Sequence, residues 1–272
     1  MAFNDEATER RFRPNVEPVK LLNPMAEDES VLRTSLVPCA LRTIQWNANR
    51  SIRDVLLYEL GKVCRSGGEN RALIIAATGA LRAKSVHESG REFGFYDLKG
   101  DVEGLIDLFN LQPHPADDPL PAYYHPGRAV RIGDLVVFGE LHPDFANDYK
   151  LKHRVYIAEI DVDALLKSAV RRPLQAITKF PSIRRDLSLL LNIGTRFADV
   201  ENTIQSLSIP ELVRIEPFDR LGSGPFAESK YALAISLTYL SPDRTLTDEE
   251  VENFDRQILE SLRIRLGAEL RQ

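Results

Sequence analysis

The stretch TKFPSIRRDLSLLL, residues 178–191, decides the architecture of the second half of the chain. Arg185, Leu187, Leu189 and Leu191 alternate with Asp186, Ser188, Leu190 and Asn192. A period of two is that of a strand with one face on a core. Phe180-Pro181 marks the turn at which this domain begins.

Downstream, Thr195 is a candidate N-cap for a helix carrying Phe197, Val200, Ile204 and Leu207. Residues 212–221 and 230–240 read as two strands joined through Gly222-Ser223-Gly224-Pro225. Thr247 with Glu250 forms a capping box, and the helix it opens places Val251, Phe254, Ile258, Leu262 and Leu266 on one face before stopping at Gly267. Residues 268–271 complete the order β-α-β-β-α-β, a ferredoxin-like unit with helices on one face of its sheet. The other face is then open. Placing Leu187, Leu189, Val213, Ile215, Leu233 and Ile235 in the core leaves Asp186, Ser188, Arg214, Phe218, Arg220, Ala232 and Ser236 on it. Open sheets of this topology are RNA platforms in many proteins, yet only one of these residues is aromatic, where paired stacking rings are usual. From residue 173 onward 12 Lys and Arg face 15 Asp and Glu, so charge lends RNA binding no support.

The 272 residues suffice for two domains with separate cores. With 43% hydrophobic and 28% charged residues, and no apolar run near the roughly 20 residues a membrane helix needs, no membrane partner is expected. The charged residues 1–18 are a lead-in without the apolar centre of a signal peptide, and Cys39 and Cys64 form neither a disulfide framework nor a zinc site, which together suggest a reducing cytoplasm. A net charge of −5 argues against coating nucleic acid, DNA included, by bulk electrostatics and leaves room for a local RNA contact made by a few arginines.

In the first half, residues 19–22 read as a short strand before the Asn23-Pro24 turn, and Ser35 as the N-cap of a helix through Val37, Ala40, Leu41, Ile44 and Ala48. Residues 55–60 and 72–78 read as antiparallel strands joined around Ser66-Gly67-Gly68, and Asp97 precedes a second amphipathic helix. Further strands at 135–138 and 155–160, then a short helix before Arg171-Arg172-Pro173, give an α+β domain on an antiparallel sheet. His125-Pro126-Gly127 and His142-Pro143 lie near Glu140 and Asp144, either as two turns or as an acid-base or metal site, and the spacing fits no standard ligand pattern. An independent hydrolase using His125, His142 and Glu140 requires both histidines to converge in one cleft. Lys99, Asp101 and Glu103 crowd the start of the second helix, where acids suit the helix dipole.

Nine strings in one order, LLNPMAEDESVLRTSLVPCAL, NANRS, LYELGKV, FYDLKGDVEGLI, HPGRAV, GELHP, KFPSIRRDLSLLL, FDRL and RTLTDEEVENF, resemble the C-terminal half of the bacterial phenylalanyl-tRNA synthetase β-subunit family. The resemblance implies an inactive class II synthetase-like module at 19–172, a linker at 173–177 and a ferredoxin-fold anticodon-binding domain at 178–272. It implies a C-terminal portion of a ligase subunit that supports ATP-dependent attachment of phenylalanine to tRNA(Phe) by binding the α subunit and the anticodon. No catalytic or metal-binding residue is expected in this chain; ATP and Mg2+ are implied for the holoenzyme. Asp219 matches the family aspartate set against the first anticodon base. Leu221 stands where a stacking tyrosine is usual and Tyr231 where serine is usual. An aliphatic side chain stacks weakly on a base, so Tyr231 is a candidate for the missing ring or else an ordinary edge aromatic. Lys230 and Arg220 flank these positions, and Lys179, Arg184 and Arg185 are candidate phosphate contacts, with Arg185 and Asp186 alternatively a local ion pair. A free-standing RNA-binding relic of the subunit is the alternative function.

Overall fold

The computed structural model describes residues 3–65, 68–111, 116, 118–171, 178–222 and 229–271. The chain divides into two units, Met1–Pro173 and Leu174–Gln272. The expected linker at 173–177, Arg172, and the loop residues Ser66-Gly67 and Ser223-Gly224-Pro225 lie outside the described residues.

The first unit opens with β1 (Phe3–Asn4) and α1 (Glu6–Phe12). Asp5 caps α1 by accepting the Thr8 N–H at 2.7 Å, and Glu9 and Phe12 are buried. The charged lead-in is therefore partly core. A helix with only two buried positions shows no sequence period, which hid it. In place of a strand at 19–22 there is a single bridge from Lys20 to Val31 of β2 (Val31–Leu32). Ser35 lies one residue before the cap of α2 (Val37–Ala48), its Oγ accepting the Val37 N–H at 3.1 Å. Then follow β3 (Val55–Arg65), β4 (Gly68–Thr78), the small hairpin β5 (Ala80–Arg82) and β6 (Arg91–Glu92), and α3 (Phe95–Leu108). Asp97 sits inside α3, accepting the Gly94 N–H at 2.9 Å. Next come β7 (Tyr124–Ile132), β8 (Val136–Leu141), α4 (Pro143–Asp148), β9 (Val155–Asp161) and α5 (Val162–Ser168). The turn read at His125-Pro126-Gly127 is an irregular stretch inside β7, where the register against β8 shifts between Tyr124 and Ala129. His142-Pro143 is the start of α4, with proline in its first turn, where a missing N–H costs nothing.

The five long strands form one antiparallel sheet in the order β3-β4-β9-β8-β7. Both faces are covered over the inner strands. Ala72, Ile74 and Ala76 of β4 with Val155 and Ile157 of β9 pack with α1, α2 and α4, while Ala77, Tyr156, Ala158 and Ile160 pack with α3 and α5. Burial on both sides makes these strands read as continuous apolar runs. On the first face Glu159 of β9 accepts from Arg13 at 3.0 Å, from Ser35 at 2.8 Å and from the Tyr123 hydroxyl.

The second unit comprises β10 (Ile183–Asn192), α6 (Phe197–Gln205), β11 (Leu212–Leu221), β12 (Lys230–Tyr239), α7 (Asp248–Leu266) and β13 (Glu269–Leu270). Its sheet is antiparallel in the order β11-β12-β10-β13, the ferredoxin-like arrangement expected. Leu189, Leu191, Leu233, Ile235 and Leu237 meet Val200, Ile204, Val251, Ile258 and Leu262 of the two helices. Thr247 Oγ1 accepts the Glu250 N–H at 3.3 Å while the Glu250 carboxylate accepts the Thr247 N–H at 2.9 Å. Gly267, at φ 63°, ends α7 in the left-handed conformation that only glycine adopts without strain. Thr247→Ala is expected to lower the stability of this unit by about 1 kcal/mol, read as a lower urea midpoint at unchanged slope.

Candidate nucleic-acid interface

The ladder of β10 and β11 on either side of β12 fixes which side chains share the face without helices. Residues paired across strands point the same way, so the open face consists of rows. Arg184, Thr238 and Arg214 make one row and Asp186, Ser236 and Glu216 the next. Ser188, Ala234 and Asp219 make a third, then Leu190, Ala232 and Leu221. Asn192 and Lys230 close the series.

Two bulges in β11 set this alignment. Register shifts lie between Leu212 and Arg214 and between Pro217 and Asp219. Proline cannot donate to the ladder, and a bulge beside it removes the mismatch. Val213, expected in the core, is consequently exposed. Beyond the second shift the alternation is reversed: Asp219 and Leu221 join the open face, and Arg220, paired with Leu233, moves to the helix side. Phe218, the bulge residue, stays outside the core and is exposed. Arg220 was expected on the open face; an extra residue in one strand reversed its side.

Tyr231 is a second correction. It pairs with Leu191 on the helix side, is 4% exposed, and donates its hydroxyl to the Thr195 carbonyl at 2.8 Å. Burial raises its pKa, and the Arg220 guanidinium lies 4.8 Å from its ring centroid. A ring held in the core cannot replace the tyrosine missing at Leu221. Arg185 also faces the helices, bonding Asp248 at 2.8 Å beside Asp255, which in turn accepts from the Tyr239 hydroxyl at 2.7 Å. This residue clamps β10 to α7 on the side away from the open face, where a phosphate contact was expected of it. Lys179 is exposed with no partner among the described residues.

The cations of the open face carry acidic partners. Arg184 meets Asp186 at 3.3 Å, Arg214 meets Glu216 at 2.8 Å, and Lys230 meets Glu269 at 2.7 Å. Asp219 is the carboxylate of this face that no cation holds among the described residues. A free carboxylate beside the small Ala234 and Ala232 can accept from a planar base laid on that floor.

The first unit offers a different surface. Leu56, Tyr58 and Leu60 stand on one side of β3, the edge strand, and are 54%, 79% and 62% exposed. Leu56 and Tyr58 border an apolar groove of about 350 Å3 shared with Leu73, Ile75, Phe93 and Leu105. A long apolar edge strand left uncovered invites association. The histidine pair lacks such readiness. The rings of His125 and His142 are 6.5 Å apart, but each Nδ1 accepts a backbone N–H, from Gly127 and Asp144 respectively, at 3.2 Å. Glu140 is held by Arg128 at 2.9 Å, so the hydrolase arrangement lacks a free base.

Residues 1–162 match the family model described as the phenylalanyl tRNA synthetase beta chain CLM domain, and residues 178–271 the ferredoxin-fold anticodon binding domain. The phenylalanine–tRNA ligase β subunit of Symbiobacterium thermophilum is 35% identical over 95% of this chain and 30% of its own length. That of Geobacillus kaustophilus is 34% identical over 98% of this chain and 34% of its own, and that of Geobacter sulfurreducens 32% identical over 93% and 33%. The chain thus spans about a third of the length of the curated relatives it matches. Among solved structures, the pyrrolysyl-tRNA synthetase of Desulfitobacterium hafniense shows a TM-score of 0.44 at 11% identity, covering 61% of this chain and 60% of its own.

Proposed function

The chain belongs to the phenylalanyl-tRNA synthetase β-chain family, and we propose that it serves as the non-catalytic part of such a ligase that seats on the α subunit and holds the anticodon of tRNA(Phe). In this reading the first unit docks through the β3 edge and the second unit lays the anticodon loop on its open sheet. ATP, Mg2+ and the joining of phenylalanine to tRNA belong to the α subunit, in the cytoplasm where tRNA is charged. The exposed stripe Leu56, Tyr58 and Leu60 favours a docked subunit over a free-standing RNA-binding chain, which has no use for an uncovered apolar edge.

The observation that carries the RNA half is the unpaired Asp219 over the alanine floor. Acting only as an acceptor, a carboxylate selects a base edge that offers N–H donors. Guanine, with N1–H and N2–H side by side, fills both oxygens. Leu221 adds apolar contact in place of a stacking ring, so hydrogen bonding at Asp219 supplies most of the discrimination. Asp219→Asn is expected to weaken binding of a tRNA(Phe) anticodon stem-loop at least tenfold, in line with about 1–3 kcal/mol for a bidentate base contact. It is also expected to erase the preference for guanine over adenine at the first anticodon position. Fluorescence titration of the two stem-loops reads both effects; equal affinities for parent and variant on both RNAs reject the assignment.

A further inference from the structure

The register of the second unit places Arg184 of β10 and Arg214 of β11 on either side of Thr238, in one row across the open face. Strands lie about 4.8 Å apart, so the two Cα atoms, with β12 between them, are separated by about 10 Å. Two arginine side chains span that gap easily. Both are well exposed, at 62% and 66% of the side chain. Sequence reading pointed to Lys179, Arg184 and Arg185 because they cluster along the chain. Arg214, thirty residues from Arg184, joins it only through the sheet.

Each arginine is braced by the carboxylate two residues further along its own strand. Arg184 Nε bonds Asp186 and Arg214 Nη2 bonds Glu216, so one N–H of each fork is occupied and the others are available. The bracing lowers the entropy lost when the fork binds a ligand. It also creates a polarity along the face. Behind the arginine row stand Asp186 and Glu216 with Ser236 between them, its hydroxyl buried and without a hydrogen-bond partner among the described residues. An anion is repelled from that second row and is admitted only over Thr238. Asp219 lies two rows further on, about 13 Å away along the strand direction.

We propose that Arg184 and Arg214 form a clamp for one RNA backbone phosphate, fixing the strand across the open sheet while Asp219 reads a base further along. This rests on the anticodon reading of the same face. The clamp neutralises the phosphate it holds, and the acidic partners limit how far its attraction reaches. Its contribution is a short-range pair of charge-assisted bonds that set the direction and register of the RNA.

The test is the affinity of the full chain for the tRNA(Phe) anticodon stem-loop from about 25 to about 200 mM salt, for the parent, Arg184→Gln/Arg214→Gln, Arg184→Lys/Arg214→Lys and Asp219→Asn. The glutamine pair is expected to lose about tenfold in affinity at low salt on every RNA sequence. It is also expected to flatten the slope of log K against log salt by about 0.7, the increment for one phosphate on a single strand. The lysine pair keeps the slope and loses part of the affinity. Asp219→Asn keeps the slope and loses base preference. An unchanged slope in the glutamine pair, with Asp219→Asn still impaired, overturns the clamp and leaves the anticodon reading standing. No measurable binding by the parent, or binding indifferent to all three variants, overturns both. Matching circular dichroism melts confirm that the variants are folded, as expected for exposed strand positions.

Discussion

Glu159→Ala is expected to lower the stability of the first unit by about 3 kcal/mol, a fall of roughly 10 °C in melting temperature for a unit of this size. Glu159 is the acceptor of a three-donor network, from Arg13, Ser35 and Tyr123, that ties the end of α1 and the start of α2 to the middle of the sheet. The side chains of Arg13 and Glu159 retain 25% and 14% of their exposure. Partial solvent access keeps the expected cost at the low end of the range for broken buried pairs. Arg13 has no substitute acceptor among the described residues, since its Nε is already buried without one. Glu159→Gln keeps one acceptor oxygen for the Tyr123 hydroxyl and turns the other atom into an N–H that donates to Ser35 Oγ, and it is expected to cost about half as much.

The same network gives an acid-sensitive step. Burial alone pushes the Glu159 carboxyl up, but the charge of Arg13 and the bonds from Tyr123, Ser35 and Arg13 together hold it below its ordinary value of 4.5. A carboxylate with a lowered folded-state pKa stabilises fully above the unfolded value, and that stabilisation is lost as the pH falls through the folded one. Urea unfolding followed downward from pH 6 is therefore expected to show a loss of stability below about pH 4.5 that the Glu159→Ala protein lacks. Parallel curves for the two proteins count against the network as the cause.

Tyr58→Glu/Leu60→Glu is expected to abolish binding of the α subunit, with an affinity loss of at least a hundredfold, while leaving the melting temperature of the chain alone within about 2 °C. Apolar side chains buried at the centre of an interface contribute about 1.5–3 kcal/mol each, and a buried carboxylate adds a desolvation cost. The combination of lost binding and kept stability identifies a docking face. Both residues are exposed in the isolated chain, so neither supports its fold. A large drop in melting temperature with binding intact would mean that the stripe packs within this chain instead.

Much of the second unit was legible because single residues carry strong local signals. Thr247 with Glu250 and the terminal Gly267 bracketed α7, and the alternation from Arg185 to Leu191 gave β10 its sides. Tyr231 was not legible. In KYALAISLTY both faces of β12 carry small or apolar residues, so alternation does not say which set faces the helices. Arg220 was misplaced for another reason: the bulge after Pro217 reverses the alternation, and an extra residue in one strand leaves no trace in composition. In the first unit, α1 and α4 escaped notice because short helices anchored by one or two buried residues show no period. The stripe on β3 escaped for the opposite reason. Leu56, Tyr58 and Leu60 read like the strands that are buried on both faces, and only the position of β3 at the sheet edge sets them apart. Asp219 was found through the family string; that it lacks a cationic partner among the described residues came from the sheet register.

The most direct measurement is size-exclusion chromatography with light scattering on this chain mixed with the synthetase α subunit from the same source. Co-elution as one heavier species, lost with Tyr58→Glu/Leu60→Glu, is the expected result and places the β3 edge against the α subunit. Two separate peaks at micromolar concentration, with the unmodified chain still binding tRNA(Phe), would contradict the docked reading and leave a free-standing RNA-binding protein.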